Sequence, residues 1–183
     1  MPFDVILMIL GLAGILTASL VAVFQEDIKR MLAYSSVAQI GYMVLGISLA
    51  STTGITAATL HVFNHALMKG ALFLALGAVA YRIGGVCLRD FAGLGRRMPW
   101  TMAAIVLGGL SLIGVPPTAG FISKWYLVLG TLEQGLWPVA LLVLIGSLLA
   151  LLYIWKLVEA AYFEPVPDGA PAVREAPWSM LLP

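Results

Sequence analysis

Long apolar runs, each close to the thickness of a bilayer, alternate along this chain with short polar connections. A spanning helix needs about 20 consecutive apolar residues. Five stretches qualify, at roughly 3–24, 31–50, 55–81, 100–130 and 136–163, and the fourth is interrupted by "GVPPTAG". The β-branched residues are scattered, and no run of roughly ten residues shows the in–out alternation of a membrane barrel. The pattern predicts an all-α, polytopic membrane protein of about five transmembrane helices, one of them broken at Pro116–Pro117.

Composition points the same way. Of 183 residues, 61% are hydrophobic and 10% charged, where soluble domains carry roughly a quarter charged residues. A net charge of +1 leaves no basic footprint for nucleic acid. The single cysteine, Cys87, excludes an internal disulfide and any multi-cysteine metal or iron–sulfur site. Asp4, with no Lys or Arg, precedes a full-length apolar run, which is unlike a cleaved signal.

The connections differ in charge. Lys29 and Arg30 lie at 25–30, Arg82, Arg89, Arg96 and Arg97 near 82–99, and Arg174 in the tail. With five spans these three segments share one side. The other side holds the N-terminus, "STTG" and "TLEQG", without Lys or Arg. The positive-inside rule makes the basic side cytoplasmic, the N-terminus external and the C-terminal tail cytoplasmic, in a cell (inner) membrane. Residues 1–163 are expected to form the transmembrane unit. Residues 164–183, with Pro165, Pro167, Pro171 and Pro177, are expected to form a Pro-rich loop and the start of a further helix. A chain that begins inside one span and stops on entering another is expected to be a piece of a larger protein, or a subunit that needs neighbours.

Within the third run, "HVFNHALMKGALF" places His61, His65 and Lys69 at i, i+4 and i+8. Steps of four drift only about 40° around a helix, so the three form one stripe about 12 Å long. An ionisable group at bilayer depth costs about 2.5–3.5 kcal/mol on insertion scales, and such groups face protein or water and mark ion pathways. Histidine titrates near neutrality and exchanges protons at two nitrogens; a lysine taken out of water holds its charge less tightly. The stripe is a ladder of exchangeable protons. The competing structural reading makes the histidines satisfied core residues and gives Lys69 a carboxylate partner. Zinc is disfavoured, because no carboxylate or thiol in this span completes a site and Lys69 would repel the cation. Bis-histidine haem is disfavoured too, since His61 and His65 share one helix.

In the fourth run, Pro116 and Pro117 stand between Gly114 and Gly120, ahead of Lys124. Proline removes a donor and clashes with the preceding turn, so carbonyls near 112–114 lose their partners. Broken backbone at membrane depth is tolerated where it is covered or lines a wet cavity, and discontinuous helices build the ion sites of transporters. The break offers Lys124 carbonyls and water. The alternative is a proline kink with an interfacial lysine. By hydropathy, Lys29 belongs to an interfacial loop.

Three motifs, "DIKRMLAYSSVAQIGYM" at 27–43, "HVFNHALMKGALFLALG" at 61–77 and "GVPPTAGFISKWYL" at 114–127, closely resemble the antiporter-like, proton-translocating membrane subunits of respiratory complex I and the large subunits of Mrp-type Na⁺/H⁺ antiporters. The resemblance covers nearly the whole chain, and "VPPTAGFISKW" and "REAPWSMLLP" resemble the Mrp D-type subunit more. It implies two inverted five-helix repeats, each with a half-channel, of which this chain is the second. The first repeat carries a glutamate–lysine pair and is absent here, so transport is expected to need more than this chain. By motif position, the resemblance makes Lys69 the central relay lysine, His61 and His65 relay or water-organising groups, Lys124 the lysine of the broken helix that gates exchange with one side, and Lys29 a member of the connecting polar path.

The expected function is proton, or cation/proton, translocation as part of a multisubunit Na⁺/H⁺ antiporter, the alternative being a proton-pumping membrane-arm subunit of an NADH–quinone oxidoreductase-type complex. A structural remnant with no flux of its own is a third possibility. Expected partners are other membrane subunits, protons, Na⁺ or K⁺, and lipid. No covalent chemistry, metal or cofactor is expected in this chain; nothing in the sequence suits flavin, nicotinamide or an iron–sulfur cluster.

Overall fold

The computed structural model describes residues 3–166 and 173–177; the remaining tail prolines, Pro167 and Pro171, and the expected start of a further helix at 178–183 lie outside the described residues. Among the described residues there are seven α-helices and a 3₁₀ turn at Leu88–Phe91. They are α1 Phe3–Val23, α2 Ile28–Ser48, α3 Thr52–Ile83, α4 Leu94–Arg97, α5 Pro99–Ile113, α6 Ala119–Glu133 and α7 Trp137–Tyr162. Four of them, α1, α2, α3 and α7, are long and apolar enough to cross a membrane. Helices α5 and α6, 15 residues each, are about 22 Å long at 1.5 Å per residue and fall short of a bilayer singly. They are the two halves of the interrupted fourth run.

The helix ends follow local chemistry. Asp27 caps α2 by accepting the Arg30 amide at 3.0 Å, so Lys29 and Arg30 belong to the first turn of α2 rather than to a loop. Ser51 caps α3 in the same way through the Gly54 amide at 3.1 Å. Helix α3 stops at Gly84, whose positive φ of 75° suits a residue without a Cβ. Helix α5 opens with Pro99, where the missing N–H costs nothing. Its first turn is covered by Glu175 of the tail, which accepts from the Trp100 amide at 2.8 Å and the Thr101 hydroxyl at 2.5 Å.

Helices α1 and α2 pack along their lengths. A Cβ on Gly41 would stand 2.7 Å from the Gly11 carbonyl and 2.8 Å from the Ile15 amide, so the two backbones touch where a side chain would hold them apart. Such small-residue seams drive association of helices in lipid, where burying apolar surface gains little.

The connections sort to two ends. Ile28 N–H donates to Val86 O at 3.0 Å, Leu88 N–H to Glu26 O at 2.8 Å, and Gly93 N–H to Ala160 O at 3.2 Å. The α1–α2 turn, the 84–98 connection and the end of α7 therefore meet at one end, with Lys29, Arg30, Arg89, Arg96 and Arg97. Lys156 joins this end by donating to Val23 O at 2.9 Å. At the opposite end Gln134 Nε2 donates to Leu49 O at 2.5 Å.

The buried apolar residues form two clusters. One, towards the basic end, includes Ile28, Leu32, Leu72, Phe91, Leu94, Leu112 and Ile154. The other includes Ile15, Tyr42, Leu45, Ala57, Leu127 and Val143. Several buried polar residues lie near the junction of the two: Ser35 and Gln39 on α2, His61, Asn64 and Lys69 on α3, and Ser123 and Lys124 on α6. Large apolar side chains such as Leu10, Phe63, Leu107 and Leu148 remain outside, each more than half exposed, as expected of surface meeting lipid or neighbouring helices.

Candidate functional site

The i, i+4, i+8 stripe on α3 faces inwards. His61 and Lys69 are buried and His65 is half-buried. Lys69 Nζ donates to the Leu32 carbonyl at 2.7 Å and to the Ser35 hydroxyl, and it lies 5.9 Å from the centre of the Phe73 ring. Its partners are neutral oxygens, not the carboxylate that the structural reading requires. Neutral oxygens meet the ammonium's hydrogen-bonding needs without neutralising its charge.

His61 is held from both sides. Its Nδ1 is 2.8 Å from Ser123 Oγ and its Nε2 is 2.9 Å from Gln39 Oε1. The His61 and His65 rings stack, with centroids 6.5 Å apart and planes 14° from parallel. Among the described residues the buried Nδ1 of His65 has no hydrogen-bond partner. Asn64, beside the stripe, donates to Ala119 O at 2.7 Å and ties α3 to the start of α6.

Lys124 fills the break in the fourth run. Its Nζ donates to Leu112 O at 3.0 Å, Ile113 O at 2.9 Å and Ser147 Oγ at 3.1 Å. The two carbonyls are among those deprived of a helical partner where α5 ends. Gly114 turns the chain there at φ 89°, and a cis bond joins Pro116 to Pro117. Gly120 lets the start of α6 approach the end of α5: a Cβ would collide with the Ser111 carbonyl, and the Gly120 amide donates to Ser111 Oγ at 3.2 Å. The Lys124 ammonium also lies 4.6 Å from the centre of the Tyr42 ring, within range of a cation–π attraction. Lys124 is thus buried in the bundle.

Together these residues make a row: Ser147, Lys124, the Tyr42 ring, His61, His65, Lys69 and Ser35. Tyr42 and His61 ring centres are 5.6 Å apart. The two ends of the row differ in access. Towards the basic end, Ile28, Met31, Leu32, Leu72, Leu76 and Ile154 enclose a void of only about 10 Å³, no more than a single water needs. Beside Lys124 and Ser147, a cleft of about 530 Å³ opens between the broken helix and α7, with Gly114, Trp125 and Leu148 in its walls.

Lys29 does not join the row. It is exposed on the first turn of α2 at the basic end, beyond the apolar packing that surrounds Leu32. Five residues of the row or in contact with it were not singled out from the sequence: Ser35, Gln39 and Tyr42 on α2, Ser123 on α6 and Ser147 on α7. The α2 trio sits at i, i+4 and i+7, so the periodicity that exposes the histidine–lysine stripe also runs through this helix. Its uncharged members simply carry a weaker signal. Among the described residues no group of His, Cys, Asp and Glu is placed to hold a metal ion.

Residues 2–150 match the family model described as NADH:quinone oxidoreductase/Mrp antiporter, transmembrane. Over its whole length the chain is 46% identical to a protein of Desulforudis audaxviator named NADH-quinone oxidoreductase subunit N, and it spans 39% of that relative. Among solved structures, it superposes on a chain of the archaeal membrane-bound sulfane sulfur reductase with a TM-score of 0.91 and 36% identity, covering 98% of this chain and 30% of that one. A chain of the Mrp complex from Dietzia sp. matches with a TM-score of 0.88 and 31% identity, covering 93% and 32%. The chain is therefore a multi-pass membrane protein that belongs to the NADH:quinone oxidoreductase/Mrp antiporter transmembrane family.

Proposed function

We propose that this chain conducts protons through the row from Lys69 to Lys124, as one membrane subunit of a larger complex. The observation that carries the reading is one row holding two buried lysines, a buried histidine and a half-buried one, each lysine solvated by neutral oxygens and one of them seated in a helix break. No covalent bond is made or broken. A proton held at Lys69 passes by way of His65 towards Lys124, while His61 takes up and returns a proton on the Lys124 side. Lys124 is the end of the row nearest an opening, a cleft walled mostly by apolar side chains, and apolar packing around Leu32 surrounds the other end. Charge arriving at either end of the row would shift the proton affinities of the rest, which couples flux to the state of neighbouring subunits. His65 serves as a relay group, His61 as a proton-holding group facing the broken helix, and Lys29, exposed at the basic end, as a group whose charge acts on the row from outside it. The helical bundle is read as one of two inverted repeats.

The experiment is proton flux into vesicles holding the assembled complex, followed with a pH-sensitive dye. Lys69→Ala should abolish flux while the subunit still inserts and assembles. Wild-type flux in that variant removes the relay.

Two drivers compete. The relative from Desulforudis audaxviator bears the name of an NADH–quinone oxidoreductase subunit and is the more similar in sequence, while the Mrp complex shares the backbone at lower identity. The balance leans towards a redox-driven complex over a Na⁺/H⁺ antiporter. Flux that follows quinone reduction, and not an imposed Na⁺ or K⁺ gradient, supports the redox assignment; the reverse supports the antiporter. The basic end is proposed to face the cytoplasm of a cell (inner) membrane. Cys87 lies at that end, partly exposed, so a membrane-impermeant maleimide should label it from the cytoplasmic side alone.

A further inference from the structure

His61 is 2% exposed, and both of its ring nitrogens are engaged by neutral side chains. A neutral imidazole donates from one nitrogen and accepts at the other; only the charged ring donates from both. Gln39 presents its carbonyl oxygen to Nε2, and a carbonyl oxygen only accepts, so Nε2 carries a proton whether the ring is neutral or charged. The partner of Nδ1 is of another kind. A hydroxyl both donates and accepts, and Ser123 has a second acceptor to turn to, the Gly120 carbonyl at 3.2 Å. When the ring is neutral, Ser123 donates to Nδ1. When the ring is charged, Nδ1–H donates to Ser123 Oγ and the hydroxyl turns to Gly120. Both states are fully hydrogen-bonded without movement of the ring, which is packed between Tyr42 and His65.

We infer that Gln39 is a positioning residue of the relay, fixing the tautomer of His61 so that the ring exchanges its proton only at Nδ1, through the Ser123 hydroxyl. That direction leads to the broken helix, since Ser123 adjoins Lys124 in α6. In the exchange, the hydroxyl gives its proton to Nδ1 and takes one that the Lys124 ammonium releases through water; the reverse step returns it. No charge resides on Ser123 or Gln39. The charged and titratable groups around the ring are Tyr42 from α2, His65 from α3 and Lys124 from α6; α5 contributes none. Gln39 differs from these in being unable to ionise, so it sets the tautomer in every state of the row. This inference rests on the proton-relay reading, but its test reads the tautomer directly.

The chain has two histidines, so a preparation in lipid with ¹⁵N-histidine in this subunit alone reports two rings, and a His65→Asn variant assigns them. The expected result is neutral His61 protonated at Nε2. Gln39→Met keeps the shape but removes the acceptor, and should move the proton to Nδ1, where Ser123 accepts it. Gln39→Glu keeps an acceptor and should keep Nε2–H. Neutral wild-type His61 protonated at Nδ1, an unchanged tautomer in Gln39→Met, or a switched one in Gln39→Glu would each overturn the inference. In flux assays Gln39→Met and Ser123→Ala should each lose about tenfold or more, as groups that orient a functional histidine do, while Ser123→Thr should retain most of the rate. Equal flux in Ser123→Ala and wild type would also overturn it. Failure of the relay reading itself shows differently, as flux untouched by Lys69→Ala with the tautomer of His61 still as stated.

Discussion

Lys124 Nζ donates to the carbonyl of Ile113 at 2.9 Å, across the break that separates their two helices. Each residue supplies what the other lacks. The break leaves Leu112 and Ile113 with carbonyls that no following amide satisfies, and the lysine, out of water, needs oxygen acceptors. In an unbroken helix those oxygens would be consumed by the backbone, and Lys124 would be left with Ser147 and the Tyr42 ring.

Replacing the lysine should therefore have two effects. Lys124→Met should strongly impair proton flux in the assembled complex. It should also lower the thermal stability of the detergent-solubilised chain, because unsatisfied buried acceptors cost about 1–3 kcal/mol. Retained flux with unchanged stability would count against both the gate and its seat.

The turn at Gly114 is under a separate constraint. At φ 89° a side chain is strained, and a Cβ would stand 2.9 Å from Lys124 Cδ. Gly114→Ala should destabilise by roughly 1–2 kcal/mol from the backbone alone and displace the lysine. The check is a thermal melt alongside flux, with flux falling further than stability explains.

The seam between α1 and α2 is a test of packing without chemistry. Gly41→Leu would push a large side chain into the backbone of Gly11 and Ile15. Helix α1 should detach from α2, giving a chain that inserts but does not assemble, visible as loss from the purified complex by size-exclusion chromatography. Normal assembly would show that the seam can open without harm.

Tyr153 predicts the opposite behaviour. It is fully buried, and its hydroxyl, beside Ser35, makes no hydrogen bond of good geometry among the described residues. A buried unpaired hydroxyl costs stability, so Tyr153→Phe should melt at the same temperature or higher. A clear drop would reveal a water or partner on that oxygen.

Much of this protein is legible in one dimension. The apolar runs place the membrane helices to within a few residues, because a bilayer imposes a length and an apolar composition that no other constraint mimics. The shifts at their ends trace to caps: Ser51 starts α3 at Thr52, three residues before the apolar run, and Asp27 draws Lys29 and Arg30 into α2. The stripe of His61, His65 and Lys69 is visible because helical spacing is fixed, and the freed carbonyls at 112–113 because proline chemistry is local.

The partners are another matter. That Lys69 meets Leu32 and Ser35, that His61 lies between Gln39 and Ser123, and that Lys29 stays at the surface depend on which faces of α2, α3 and α6 meet. Sequence alone determined the spans, the break and which ionisable groups had to be sheltered, since each follows from the free energy of a few neighbouring residues in lipid. Only the tertiary structure decided what shelters them, because neutral acceptors such as a serine, a glutamine or a broken helix's carbonyls leave no mark in hydropathy or charge and become partners only when packing between distant segments sets them a hydrogen bond apart.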